Sequence, residues 1–232
     1  MTPAAVVLPF GDSGVFVELG GEAGVDASRR VQAAARQIRT ATEGEPGWGR
    51  PIPAGTSILV PVDPVEPGSM VAVERVRALL DRSGEPGGRS PGGRSPVDLR
   101  PAAEIEIPVR YGGIDGPDLE TVAAMAGLSP AAVIELHGST TYTALFLGFA
   151  PGFAYLGPLD PALVLPRRAE PRQRVAAGSV AIAGPQTAVY PAASPGGWWI
   201  LGRTSTRVWD PTRNPAALIR AGDRVRFSAD RG

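Results

Sequence analysis

Gly178-Ser-Val-Ala-Ile-Ala-Gly-Pro-Gln-Thr-Ala-Val-Tyr190 holds two short β-rich runs, Ser179 to Ala183 and Ala188 to Tyr190. Between them a Gly184-Pro185 break sets Gln186 and Thr187 in a tight turn. The same rhythm extends in both directions. Tyr142 to Phe149 precedes it, and Trp198 to Leu201, Arg207 to Trp209 and Arg224 to Phe227 follow, separated by Gly/Pro loops. Runs this short and this frequent predict a closed or nearly closed barrel, because closure removes the unpaired strand edges that a flat sheet would expose.

Working outward toward the amino terminus, Ile105, Ile107 and Val109 alternate with Glu104, Glu106 and Arg110, the period-two pattern of a half-buried strand that opens this core. Two helices follow. One runs from Asp118 to Ala126 and is closed by Gly127; the next starts with Ser129 as its cap and Pro130 in its first turn, and ends near His137. Upstream, Gly-Gly-Arg-Ser-Pro occurs twice in tandem, at 87 to 91 and 92 to 96, in a stretch too poor in apolar residues to pack. We read residues 84–103 as a linker.

Before the linker, Val6 to Phe10 and Val15 to Leu19 are β runs around a Gly11-Asp-Ser-Gly14 turn. Val31, Ala34, Ala35 and Ile38 form the apolar stripe of a helix over Asp26 to Ala41. Thr56 to Val62 is another β run, and Ser69 offers an N-cap for a helix whose apolar face is Val73, Val76, Leu79 and Leu80. The expectation is therefore an α+β protein. Residues 1–83 form a small domain, a ferredoxin-like sandwich with both helices on one sheet face, and residues 104–232 form the barrel.

Composition narrows the chemistry. Twenty-three basic residues balance twenty-three acidic ones, so no net field draws the molecule to nucleic acid or an anionic membrane. Every basic residue apart from His137 is arginine, which removes Schiff-base lysine chemistry and a phosphate-loop lysine. Without cysteine there is no disulfide, thiolate nucleophile or thiolate metal site, and one histidine cannot build a histidine-rich zinc centre. A carboxylate-bound magnesium stays open. No run approaches the roughly 20 apolar residues that span a bilayer, and the expected location is the cytoplasm.

Several side chains stand out. His137 suits a general base or orienting donor, or else a helix-end histidine held by the macrodipole. Gln186 and Thr187 suit hydrogen-bond reading of an amide or carboxylate, or the satisfaction of loop backbone. Arg167, Arg168, Arg172 and Arg174 form a basic cluster; Arg172 or Arg174 is the expected anion ligand, and Arg167 and Arg168 are expected at the surface. Arg203 is either a further anion ligand or the partner of Asp210. Phe149, Phe153, Tyr155, Trp198 and Trp199 wall a ligand, a core or an interface. Ser139 and Ser179 show no order that argues a hydrolase triad.

Leu147-Gly-Phe-Ala-Pro-Gly-Phe-Ala-Tyr-Leu-Gly157, the prolines and arginines of 166–174, Gly178 to Thr187, Tyr190-Pro191, Ser194-Pro-Gly-Gly-Trp198 and Gly202-Arg-Thr204 together resemble one family. It is the family of allophanate hydrolase subunit 1, the 5-oxoprolinase B-subunit and KipI. Tyr111-Gly-Gly113, Gly116-Pro-Asp-Leu119 and His137 also fit, and the first domain matches only loosely. Pro158 departs from the pattern, which repeats glycine there.

The resemblance implies a cyclophilin-like barrel and a composite site shared with a homologous subunit 2, of the KipA or 5-oxoprolinase C-subunit type. It also implies ATP, with Mg, held by the complex. The reaction would be ATP-dependent opening of 5-oxoproline to glutamate, which a third protein would complete, or related allophanate/urea metabolism; the chain alone would be inactive. On the side-chain readings above taken together with this resemblance, His137, Gln186 and Thr187 are assigned to catalysis, and Arg172, Arg174, Tyr190 and Arg203 to substrate or phosphate. The family's KipI member implies an alternative, inhibition of a sensor histidine kinase.

Overall fold

The computed structural model describes residues 5–81 and 102–230. The chain divides into two compact units, Met1–Arg100 and Pro101–Gly232. The stretch read as a linker lies, apart from Ala102 and Ala103, outside the described residues.

In the first unit the order is β1 (Val6–Pro9), β2 (Gly14–Glu18), α1 (Val25–Thr42), β3 (Ile52–Ala54), β4 (Ser57–Pro61) and α2 (Ser69–Asp81). The strands make one antiparallel sheet in the order β1-β2-β4-β3. Alternation sends Val7, Val15, Val17, Ile58 and Val60 to one face, where they meet Val31, Ala34, Ala35 and Ile38 of α1 and Ala72, Val73 and Val76 of α2. Both helices therefore cover the same face, as in a ferredoxin-like sandwich, with one permutation. The edge place beside β2, which a strand after α2 would take in that fold, is filled by β1 from the start of the chain. Ser69 is not the cap of α2 but its first helical residue; the Gly68 carbonyl accepts the first helical bond, from Ala72 N at 3.1 Å.

The second unit contains β5 (Glu104–Tyr111), α3 (Leu119–Ala126), α4 (Pro130–Ser139), β6 (Thr141–Leu147), β7 (Ala154–Gly157), a 3-10 turn (Pro161–Leu163), β8 (Arg172–Val175), β9 (Ser179–Ala183), β10 (Gln186–Val189), β11 (Ser194–Gly196), β12 (Trp199–Arg203) and β13 (Arg224–Ala229). Seven of the strands close a barrel in the order β10-β7-β6-β13-β5-β12-β9, with β9 pairing back to β10. Only β13 and β5 run parallel. The closed barrel of the cyclophilin-like expectation and the α+β class both hold.

The barrel wall has two apolar sides. Ile107, Val109, Tyr142, Leu156, Val180, Ile182, Val189, Leu201, Val225 and Phe227 fill the inside, joined by Leu119, Val122 and Val133 from α3 and α4. On the outside, Ala181, Ala183, Ala188 and Ile200 lie under Phe153, Val175, Tyr190 and Trp198, a second small core beside the β8-β11 ribbon. Because both faces of β9 are buried, its sequence reads as continuous apolar residues rather than alternation.

Two departures from the expected strands have plain causes. Arg207 to Trp209 makes no strand, only an isolated bridge from Trp209 to Ala217, in a stretch broken by Pro211 and Pro215. β8 and β11 carry arginines, glycine and proline, so neither shows a strand pattern; they pair with each other outside the barrel. Among the described residues no single helix is long and apolar enough to cross a membrane.

Candidate functional site

His137 projects from the last turn of α4 into the barrel and is fully buried. Its ring stacks on Phe227, with centroids 4.6 Å apart, and each nitrogen has one partner: Nδ1 lies 2.7 Å from Tyr111 Oη and Nε2 lies 2.9 Å from Thr187 Oγ1. The tautomer follows from the neighbours. Thr187 spends its hydroxyl proton on Ala181 O at 3.1 Å, so Oγ1 accepts from Nε2–H; Nδ1 then accepts the Tyr111 proton. A neutral ring satisfies this network with every proton placed.

Burial pushes the His137 pKa down to about 3. Tyr111 is pushed above the ordinary phenol range by burial and by its neighbour Tyr142; Tyr142, whose hydroxyl donates to His137 O at 2.9 Å, is raised chiefly by burial. Two of the residues assigned to catalysis thus meet in space, but inside a closed apolar core. Thr187 is also fully buried, because it belongs to β10 and faces inward instead of sitting in a turn; Gly184 and Pro185 alone make that turn. Gln186, its neighbour on the strand, faces outward, half-buried and opposite Ala183.

A second polar node gathers the motif residues. Asp118, at the start of α3, is buried, and its carboxylate accepts from Arg172 Nη1 and Nη2 at 2.8 and 2.7 Å, from Arg168 Nη1 at 3.2 Å and from Ile200 N at 2.7 Å. It makes no side-chain cap of its own helix because it is committed here. Arg168 lies over the Trp199 ring at 5.0 Å, Trp199 Nε1 donates to Pro166 O at 2.7 Å, and Arg168 N donates to Gly197 O at 2.8 Å. Separate sequence segments are tied down at one carboxylate. Arg172, expected to bind an anionic ligand, is an internal ion-pair partner, and Arg168, expected at the surface, is three-quarters covered.

The outward aromatics form a third group. Phe146 stacks on Tyr155 (4.3 Å), Tyr155 and Tyr190 each meet Phe153 edge-on (5.0 and 5.4 Å), and Trp198 closes against Phe153 (5.6 Å). Phe149 extends the cluster to the surface: it is 63% exposed and its ring lies 5.3 Å from Phe153. Its backbone has φ 68, the only positive φ outside glycine among the described residues, a conformation costing an L side chain roughly 1–2 kcal/mol.

Tyr190 is buried, its hydroxyl taking the Trp198 N–H and packing against Gly196, where any Cβ would collide with it. Burial raises both Tyr155 and Tyr190, and the nearby Arg167 guanidinium partly offsets this. Arg174 is exposed on β8. Arg203 donates from Nε to Ala177 O at 3.1 Å and does not pair with Asp210, whose carboxylate is taken by Thr212.

Five of the seven predicted residues thus fall into three places, His137 and Thr187 in the barrel, Arg172 at the Asp118 node, and Gln186 and Tyr190 on the outer wall, while Arg174 and Arg203 join none of these clusters. Asp118 and Tyr111 carry more of the polar architecture than their sequence context suggests. Both stand within quoted motifs, and an aspartate followed by an apolar helix reads by default as a cap. Among the described residues no three acidic or histidine side chains gather to hold a metal ion.

The fold and these clusters define a class: a two-unit α+β chain whose barrel seals its one histidine inside and turns an aromatic wall outward. The chain belongs to the carboxyltransferase domain, subdomain C and D, family, matched over residues 5–219. It is 42% identical to the 5-oxoprolinase B-subunit of Escherichia coli O157:H7 over 219 residues, covering 94% of this chain and 92% of that protein. It is 39% identical to the B-subunit of the same enzyme from Bacillus subtilis (strain 168) over 233 residues, covering 98% and 93%. Among solved structures it resembles TTHA0988, with a TM-score of 0.76, 37% identity and 95% of this chain covered; the chain spans 40% of that protein's length.

Proposed function

We propose that this chain is one subunit of an ATP-dependent assembly that opens 5-oxoproline, or a related small amide of the allophanate/urea type, at a site completed by a homologous second subunit. The observation that carries this reading is the match to the 5-oxoprolinase B-subunit, 94% of one chain against 92% of the other. The likeness runs through both units and not through the barrel alone.

The chemistry needs help from outside the amide itself. An unstrained amide is a poor electrophile, and ATP supplies a phosphoryl group that turns the amide oxygen into a leaving group. This chain supplies one wall of that shared site. Its own contribution is positional. The neutral His137 network braces β10 from inside through Thr187, and Gln186 leaves the same strand on the outer side. Gln186 and Tyr155, half-buried, and Phe149, exposed, are among the groups the barrel leaves accessible to a substrate held against a second subunit. The Asp118 node keeps the loop bearing Arg167 beside Tyr155 and Tyr190.

The test is ATP-dependent conversion of 5-oxoproline to glutamate when this chain is mixed with its partner subunits. Turnover that requires every component is expected. Its absence with 5-oxoproline, allophanate and urea, all proteins being folded, rejects the reading.

A further inference from the structure

The face of the first sheet that α1 and α2 leave uncovered is apolar across all four strands. Register places Leu8 of β1 opposite Phe16 of β2, Phe16 opposite Leu59 of β4, and Leu59 opposite Ile52 of β3, one unbroken row across the sheet. Leu8 and Ile52 are 50% and 49% exposed, and Val6 and Phe10 extend the patch along β1 at 49% and 59%. Glu18 is the one charged residue of these strands, and its carboxylate is engaged by Gly20 N at 2.9 Å. Antiparallel sheets with one free face ordinarily turn polar residues to water there, so a row of leucine, phenylalanine and isoleucine signals a covered surface.

We infer that this face is a docking surface for the second subunit of the assembly, which meets it with an apolar, uncharged helix or sheet face. The inference rests on the functional reading above for the existence of that subunit. Size selects the occupant. Four strands spaced about 4.8 Å apart, each about five residues of 3.4 Å, span on the order of 300 Å². A stable pair of identical chains takes roughly 800 Å² per partner. The patch is too small to hold a second copy by itself, and it suits a partner that is also gripped elsewhere. In TTHA0988 the matched part is 40% of the polypeptide, so more than half of that protein is further chain, long enough to hold such a partner.

The test is calorimetric titration of the second subunit into the full wild-type chain, Leu8→Asp and Leu59→Asp, with circular dichroism to confirm folding. Ile114→Asp, at an isolated position that is 98% exposed in the other unit, controls for added charge. A Kd at least tenfold weaker for both sheet variants, with Ile114→Asp unchanged, is expected. Equal binding by wild type and the sheet variants overturns the inference, as does an equal loss in Ile114→Asp. It is also overturned if light scattering shows the isolated chain to be a dimer that Leu8→Asp dissociates while binding of the second subunit is kept. Binding is read without turnover, so an assembly that forms through this face yet leaves 5-oxoproline intact refutes the functional reading and not the interface.

Discussion

Lowering the pH should destabilise the barrel through one residue. His137 has a pKa of about 3 when folded, against 6.5 in the unfolded chain. Between those values the unfolded chain binds a proton that the folded one refuses, so stability is full above pH 6.5 and falls as pH drops toward 3. At 1.36 kcal/mol per unit, the loss from His137 alone is about 0.7 kcal/mol between pH 7 and 6, and about 2 kcal/mol by pH 5.

Urea unfolding of the full chain at pH 7, 6 and 5 measures this, with His137→Gln as the reference that lacks the ionisation. The variant should be less stable at pH 7, because it disturbs a buried network, yet its stability should change less between pH 7 and 5. Since the chain has one histidine, the proton on its Cε1 gives a single NMR signal of its kind. That signal should stay at the neutral position down to pH 5. A titration midpoint between 6 and 7, or equal pH dependence in wild type and variant, would refute the sealed neutral imidazole and return His137 to the role of an accessible base.

Three further outcomes follow from the packing. Asp118→Asn keeps an acceptor for Ile200 N but removes the charge shared by Arg168 and Arg172; a loss of about 1–3 kcal/mol in urea unfolding is expected, with the 166–172 loop gaining protease sensitivity. Ser129→Ala deletes the cap that accepts from Ala132 N at 3.2 Å and should lower stability by about 1 kcal/mol. Gly152→Ala demands a side chain at φ 81, with its Cβ 2.6 Å from that of Trp209; calorimetry should register a fall in Tm equivalent to about 1–3 kcal/mol.

Local patterns account for much of what the sequence makes legible. The stripe Val31, Ala34, Ala35 and Ile38 is spaced for a helix whatever it packs on, and Ser129-Pro130 starts α4 by chemistry confined to one turn. β3, β7, β8 and β11 escape because strands of three or four residues carry too few alternations to stand out, and because glycine, proline and arginine dominate the last two. The placement of Gln186 and Thr187 in a turn fails by two residues. A Gly-Pro pair marks where a turn is, but not which following residue first enters the ladder.

By itself the sequence determined the α+β class, the barrel in the second half, the helix stripes and, through its long motifs, the family. These depend on spacing along the chain, which needs no knowledge of what lies across it. Tertiary structure alone decided what the polar residues do. Whether His137 faces water or Phe227, and whether Arg172 meets a ligand or Asp118, depends on segments more than fifty residues apart arriving at the same few ångströms. Burial, which moves a pKa and commits a guanidinium, is a property of that arrival and has no one-dimensional signature.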